Sequence, residues 1–236
     1  MAYVPSYKSR IFVGPLAWSG YVRGINESFD SAVLDTTTIA DQDMTYIYGV
    51  NSGQVSLDML LDGSGAAGSQ FATLNTWRST SQVVTIGVEG IAAGAPVWLI
   101  QADESNFTVN SAAEDVVSVA GAYMTDGLVG AGVVIDTLTA ITVDGNGTAI
   151  DNGASTSNGG VGHLHITAFS GLTSTSVILE HSTDNVSFAT LGTFTTATGT
   201  TSERITVTGT VNRYVRVRDD VTGTGSNTRI VSFARN

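Results

Sequence analysis

Gln54-Val-Ser-Leu-Asp-Met-Leu-Leu-Asp62 carries Val55, Leu57, Met59 and Leu61 at every second position, with Gln54, Ser56, Asp58 and Asp62 on the alternate parity. Successive side chains on a strand point to opposite faces, so this segment predicts one apolar face for a core and one polar, acidic face. Such half-buried alternation belongs to antiparallel sheets, because the strands of a parallel sheet are covered on both faces. Val83–Glu89, Val97–Ala102 and Val116–Met124 read likewise, and Tyr21–Phe29 is a further strand that carries Glu27. Only Ser69–Ser79 has a helical period, with Phe71, Leu74 and Trp77 three apart and Ser69 as its cap.

Outward from this region the strand pattern continues to the C-terminus, through Leu164–Phe169, Val177–His181, Ile205–Val207, Tyr214–Val217 and Ile230–Phe233. Between the two strand groups, Asp144-Gly-Asn-Gly-Thr and Asp151-Asn-Gly-Ala-Ser-Thr-Ser-Asn-Gly-Gly160 are turn sequences. The expected fold is therefore all-β dominated with two domains. Residues 1–137 form an antiparallel sandwich with one flanking helix, and residues 138–236 form a smaller sandwich or jelly roll. No internal repeat relates the halves.

The 236 residues are 42% apolar, enough for packed cores, but only 13% charged, about half of average usage. No cysteine is present, which excludes disulfides and thiolate metal sites. The first ten residues lack the apolar run of a secretory signal, and no stretch reaches the ~20 apolar residues of a membrane span, so a soluble, unprocessed chain is expected. The net charge of −11 is uneven: residues 1–137 hold fourteen acidic and four basic side chains, residues 138–236 seven and six. Phosphate-gripping proteins show a basic stripe, and the N-terminal part is the reverse.

Motifs for catalysis are weak. Gly63-Ser-Gly-Ala-Ala-Gly68 has the formal spacing of a dinucleotide loop between a strand and a helix. The preceding strand, however, has Asp58 in its middle and Asp62 beside the expected pyrophosphate, and no strand–helix alternation follows. Lys8 is the only lysine, so there is no Walker loop, and no G-x-S-x-G elbow occurs. His163 and His165 share a strand face and could ligate a metal, but their plainer reading is the solvated face of a strand. Asp144-Gly-Asn-Gly lacks the terminal glutamate of a calcium loop and is read as a turn. Arg213, Arg216 and Arg218 surround Tyr214; pairing with Glu203, Asp219 or Asp220 accounts for them better than a ligand patch. No enzyme activity and no cofactor are expected.

Two groups of segments, taken in order, carry a family resemblance. The first is Asp35-Thr-Thr-Thr-Ile-Ala-Asp-Gln-Asp-Met-Thr-Tyr-Ile-Tyr-Gly49, followed by Gln54–Asp62. The second is Gly160-Gly-Val-Gly-His-Leu-His-Ile-Thr-Ala-Phe-Ser-Gly171 with His181-Ser-Thr-Asp-Asn-Val-Ser-Phe-Ala-Thr-Leu191 and Thr210-Val-Asn-Arg-Tyr-Val-Arg-Val-Arg218. Together they resemble the major tail tube proteins of long-tailed (siphovirus-type) bacteriophages. The resemblance implies hexameric rings whose inner sheets join into one barrel, stacked into a hollow virion tail that passes DNA without binding it. It also implies assembly in the host cytoplasm, with tape-measure, tail-terminator and tail-tip proteins as partners. The polar segment Ala32–Gly53 is then the extended loop for ring-to-ring contact, with Thr36, Thr37, Thr38, Asp41 and Asp43 as candidate contacts and Gly49–Gly53 as a closing turn. Asp58, Asp62 and Glu27 are candidate lumen-facing residues. The alternative is a carbohydrate- or cell-surface-binding β-sandwich protein, in which aromatics form an exposed platform. Trp18, Trp77 and Trp98 all lie in the first half, which counts against such a platform in the second.

Overall fold

In the computed structural model of the chain, residues 4–62, 70–78, 80–113 and 115–236 are described; for residues 70–72 this covers the backbone only. The glycine motif Gly63–Gly68 and the Ser69 cap lie outside the described residues. Among those described, the elements are β1 (Arg10–Val13), β2 (Leu16–Ala17), β3 (Val22–Asp35), β4 (Tyr46–Leu60), α1 (Gln70–Trp77), β5 (Gln82–Gly87), β6 (Pro96–Asn110) and β7 (Ser118–Thr125). They continue with β8 (Gly130–Ile141), β9 (Gly145–Asn146), β10 (Ile150–Asp151), β11 (Gly160–Ser182), β12 (Ala189–Thr193), β13 (Thr201–Val207) and β14 (Tyr214–Arg235). The protein is nearly all β, its registered strand pairs are antiparallel, and the one α-helix among the described residues falls where the three-residue spacing of Leu74 and Trp77 places it.

Two compact units divide the chain discontinuously. One comprises Met1–Gly20, Gln82–Gln101 and Leu128–Asn236, the other Tyr21–Ser81 and Ala102–Gly127. Residue 137, the boundary expected from composition, lies inside β8, which pairs with β14 from Val133 to Ile141. The turn-rich texture after residue 141 therefore marks the end of that strand, and the two divisions differ.

The larger unit is organised by β11 and β14, which pair along almost their whole length. The sequence predicts four short strands here; they are two long ones, each bent. Register slips between Ile166 and Ser174 mark the bend, where Gly171 and Gly223 take positive φ (74° and 102°), a conformation that costs glycine least. Leu164, Ile166, Val231 and Phe233 from one half then pack with Val177, Leu179, Val215 and Val217 from the other, around Phe194 and Val211. Each fully buried aliphatic contributes about 1.5–3 kcal/mol. The sandwich is thus one hairpin folded onto itself, flanked by β13 on the first half of β11 and β12 on the second.

The opposite face of the first half of β11 is also covered. From β14 the sheet proceeds through β8, the first part of β6, β5, β1 and β2. It curls far enough for β5 and the β1–β2 turn to hydrogen-bond with β11 side chains. Phe12, Val97, Leu99, Val134, Val161, Ile230 and Ala234 fill this second core. Every residue of β5 is consequently buried, not alternately exposed as its sequence predicts. His163 and His165 are completely buried here, which corrects the expected solvated strand face.

The smaller unit is an antiparallel sheet in the order β3, β4, β7 and the second part of β6. Val55, Leu57 and Met59 of β4 are buried together with Val119 and Tyr123 of β7, as the alternation of Gln54–Asp62 requires.

Candidate assembly interface

β3 and β4 pair from Val22↔Met59 to Asp35↔Tyr46, so most of the expected loop Ala32–Gly53 is strand. Only Thr36–Thr45 forms the tip, and Gly49–Gly53 is extended, not a turn. The glycine at position 53 has a packing reason: a Cβ there would lie 2.7 Å from the Phe29 ring and 2.8 Å from Thr125 Cγ2. Beyond this point the ribbon is exposed on both faces.

The polar residues singled out in the sequence build the tip. Thr36 N donates to Thr45 O at 2.9 Å, and Thr37 Oγ1 accepts from Thr45 N at 2.9 Å. Asp35 accepts from Thr37 N at 2.8 Å, and Asp41 accepts from Thr38 N at 2.7 Å and from its hydroxyl at 3.0 Å. The hydrogen bonds from Thr37 hold the Asp35 carboxyl below its ordinary pKa, and those from Thr38 do the same for Asp41. Asp43 is exposed at the same tip. The residues that the sequence reading passed over are the apolar ones between them. Val33, Leu34, Ile39, Met44, Tyr46, Ile47, Tyr48 and Val50 are all exposed, Ile39 fully, Tyr48 by 85% and Val50 by 84%. Their signal was apolar side chains at consecutive positions inside a polar stretch.

Nearer the body of this unit, the two faces of the sheet differ. Asp58 is exposed and sits opposite Gly24 on β3 and Ala120 on β7, in register with Thr108 on β6. The same face carries Asn26, Ser28, Gln54, Ser56, Met124, Asp103 and Asn106; its charges are Asp30, Asp58 and Asp103, with no Lys or Arg at the paired positions. Glu27 is on the other face, opposite Val55, half-buried with its carboxyl pKa raised by desolvation. Tyr123 follows Val55 and Glu104 follows Tyr123 in that row, and burial raises the Glu104 carboxyl too. Asp62 lies two residues past the end of β4 and is half-buried. The register therefore separates Glu27 from Asp58 and leaves Asp62 outside the strand.

In the larger unit, the arginines near Tyr214 are occupied. Arg213 pairs with Asp151 at 2.6 Å, Arg216 with Glu180 at 2.7 Å, and Arg218 with Glu180 at 3.5 Å and Asp220 at 3.3 Å. Of the three acids expected, Asp220 pairs here; Glu203 instead caps Thr195, and Asp219 binds Arg229. Arg216 also stacks on Phe188, 3.7 Å from the ring centroid. Phe194 and Phe233 are in the core. Among the described residues, no three His, Asp or Glu side chains converge as a metal site, and no helix is long and apolar enough to cross a membrane.

No family model and no curated protein matches the chain. Among solved structures, it is similar to a chain of the native gene transfer agent virion (12% identity, 55% of this chain and 98% of that one, TM-score 0.45). It is also similar to the Dit protein of phage SPP1 (12% identity, 96% and 98%, TM-score 0.38) and to a chain of the activated phage p2 baseplate (8% identity, 97% and 98%, TM-score 0.37). All three lie below a TM-score of 0.5, and no residue role is carried across from them.

Proposed function

We propose that this protein is a structural subunit of a phage tail, which self-assembles into stacked rings around a DNA conduit and has no enzymatic role. One observation carries the reading: the distal β3–β4 ribbon exposes Val33, Leu34, Ile39, Tyr46, Ile47, Tyr48 and Val50 together. Exposed apolar side chains at this density, Val33, Tyr46, Tyr48 and Val50 on one face of the ribbon and Leu34 and Ile47 on the other, mark an association site. The ribbon is held out on paired strands whose polar tip residues are internally satisfied, so the apolar side chains remain for a partner. Among the described residues the outer edge of β3 has no strand partner, and edge closure by a neighbouring copy removes such an edge. Hexameric rings with this ribbon reaching the next ring, tape-measure, terminator and tip proteins as further partners, and a virion location belong to the same proposal, through the family resemblance. Electron microscopy of the purified full-length chain tests it. Rings or hollow tubes support it, and a monodisperse monomer at all concentrations rejects it.

A further inference from the structure

Four polar groups inside the second core of the larger unit form one directed hydrogen-bond chain. His165 Nδ1 lies 2.7 Å from the Gly14 carbonyl, which only accepts, so Nδ1 carries the proton and donates. In the neutral ring Nε2 must then accept, and Thr85 Oγ1, 2.8 Å away, is its donor. With its hydrogen spent, Thr85 Oγ1 accepts from His163 Nδ1 at 3.0 Å. His163 Nε2 is left as an acceptor, and Arg204 Nη1, which can only donate, meets it at 3.2 Å. Arg204 is anchored in turn by Nη2 donating to the Leu128 carbonyl at 2.7 Å. These directions are consistent from one end to the other when both imidazoles are neutral.

The surroundings disfavour charge on either ring, although the Val84 backbone carbonyl also accepts from His163 and opposes part of the effect. Both histidines are fully buried, 6.2 Å apart between ring centroids, with Phe12 5.5 Å from His165. Across the sheet, His163 faces Arg204 and Ser232, and His165 faces Ser202 and Ile230. The charged group acting on this pair is Arg204, a cation, and among the described residues no carboxylate contributes to either ring. A proton added at His163 Nε2 would set a donor against the Arg204 donor and a charge against its charge. A proton added at His165 Nε2 would leave Thr85 with two incoming donors and its own hydrogen without an acceptor. Burial accordingly holds His163 well below its ordinary pKa, with His165 and Arg204 adding to the effect, and lowers His165 to about 4.

We propose that Arg204, His163, Thr85 and His165 form an acid-release latch: while both imidazoles are neutral it ties the β1–β2 turn and β5 to β11 and β13, and protonation of either opens it. The chain joins segments far apart in sequence, Gly14, Thr85 and the β11 histidines, so its loss separates the N-terminal strands from the sheet they cover.

The test uses the full-length protein labelled with ¹⁵N in its histidines. At pH 7 both His163 and His165 should be neutral Nδ1–H tautomers, the minority form of free imidazole. On acidification from pH 6 to 4.5, hydrogen-exchange protection of Ile11–Leu16 and Val84–Ile86, corrected for intrinsic rate, should fall about tenfold per pH unit for each histidine that the open state protonates. The H163Q/H165Q protein should lose this steep local dependence. An Nε2–H tautomer at either ring, or titration of both near pH 6.5, overturns the latch. So does protection at these strands that falls no faster than in the rest of the unit. The tautomer and exchange measurements on the unaltered protein decide the matter even if the double variant does not fold.

Discussion

Arg229 and Asp219 stand ten residues apart on β14 and meet across its bend, Arg229 Nε donating to Asp219 Oδ1 at 2.8 Å while Nη2 binds Oδ2. Asp136 of β8 receives a second bond from Nη2 at 2.9 Å. Arg229 is fully buried and Asp219 nearly so, which makes this pairing a registration device for the folded-over hairpin. Removing one partner of a buried pair strands the other charge, at about 3–5 kcal/mol. Arg229→Met should therefore cost about that much in urea unfolding, whereas Arg213→Met, which breaks an exposed and solvent-screened pair, should cost far less. Equal losses from the two variants would refute the assignment.

Asp184 shapes the turn between β11 and β12. Its Oδ1 accepts from Val186 N and Ser187 N, each at 2.9 Å, and from Ser182 Oγ at 2.8 Å, while Asn185 adopts a φ of 60°. The backbone donors at Ser187 and Val186, followed by the Ser182 hydroxyl, lower its carboxyl from 3.8 to about 2. Because the folded-state pKa is depressed, the stabilisation is complete above the unfolded value near 3.8 and is lost as pH falls toward 2. Limited proteolysis should cut Thr183–Phe188 increasingly across that window, and Asp184→Ala should be cut equally well at pH 7. A turn equally resistant in both proteins would disprove the role.

What the sequence made legible follows from burial. Gln54–Asp62 alternates because one face of β4 is covered, so its strand, faces and the exposure of Asp58 could be read directly. The distal ribbon has no covered face, so alternation is absent and Ala32–Gly53 resembles a loop. The bend of β11 and β14 is rich in Thr, Ser and Gly, which split each strand into two apparent ones. Glu27 was legible in principle: Ile25 and Phe29, two residues to either side, mark its strand face as the apolar one. The burial of His163 and His165 was not, because the layer over them comes from residues 10–17 and 82–101.

The distal ribbon yields a separation of folding from assembly. Ile39 and Tyr48 are exposed in the single chain, so Ile39→Asp with Tyr48→Ser should change its unfolding midpoint little. The same pair should abolish rings or tubes under conditions where the unaltered chain forms them. Thr36→Ala with Asp41→Ala should loosen the tip and weaken assembly less. Normal tubes from the Ile39/Tyr48 variant, seen by electron microscopy, would remove the ribbon from the interface.

Asp58 gives the test of the conduit. It projects from the exposed face of the sheet, between small neighbours at Gly24 and Ala120, and the paired positions of that face include no Lys or Arg. On the proposed reading this face lines the lumen, and paired positions that hold acids and no cation let a polyanion move, with Arg23 confined to the bulge beside Gly24: each further lysine or arginine would add a phosphate contact and salt-dependent affinity. Asp58→Lys substitutes an exposed side chain and should permit folding and tube assembly, since the small residues at 24 and 120 leave room for it. It should slow DNA passage, and more so at low ionic strength, where a charge is felt over ~30 Å at 0.01 M against ~8 Å at 0.15 M. Asp58→Asn controls for simple loss of the negative charge and should slow passage less. Ejection kinetics from particles carrying each variant, followed across salt concentrations, make the comparison. Salt-independent kinetics identical to those of the unaltered protein would place Asp58 away from the DNA path.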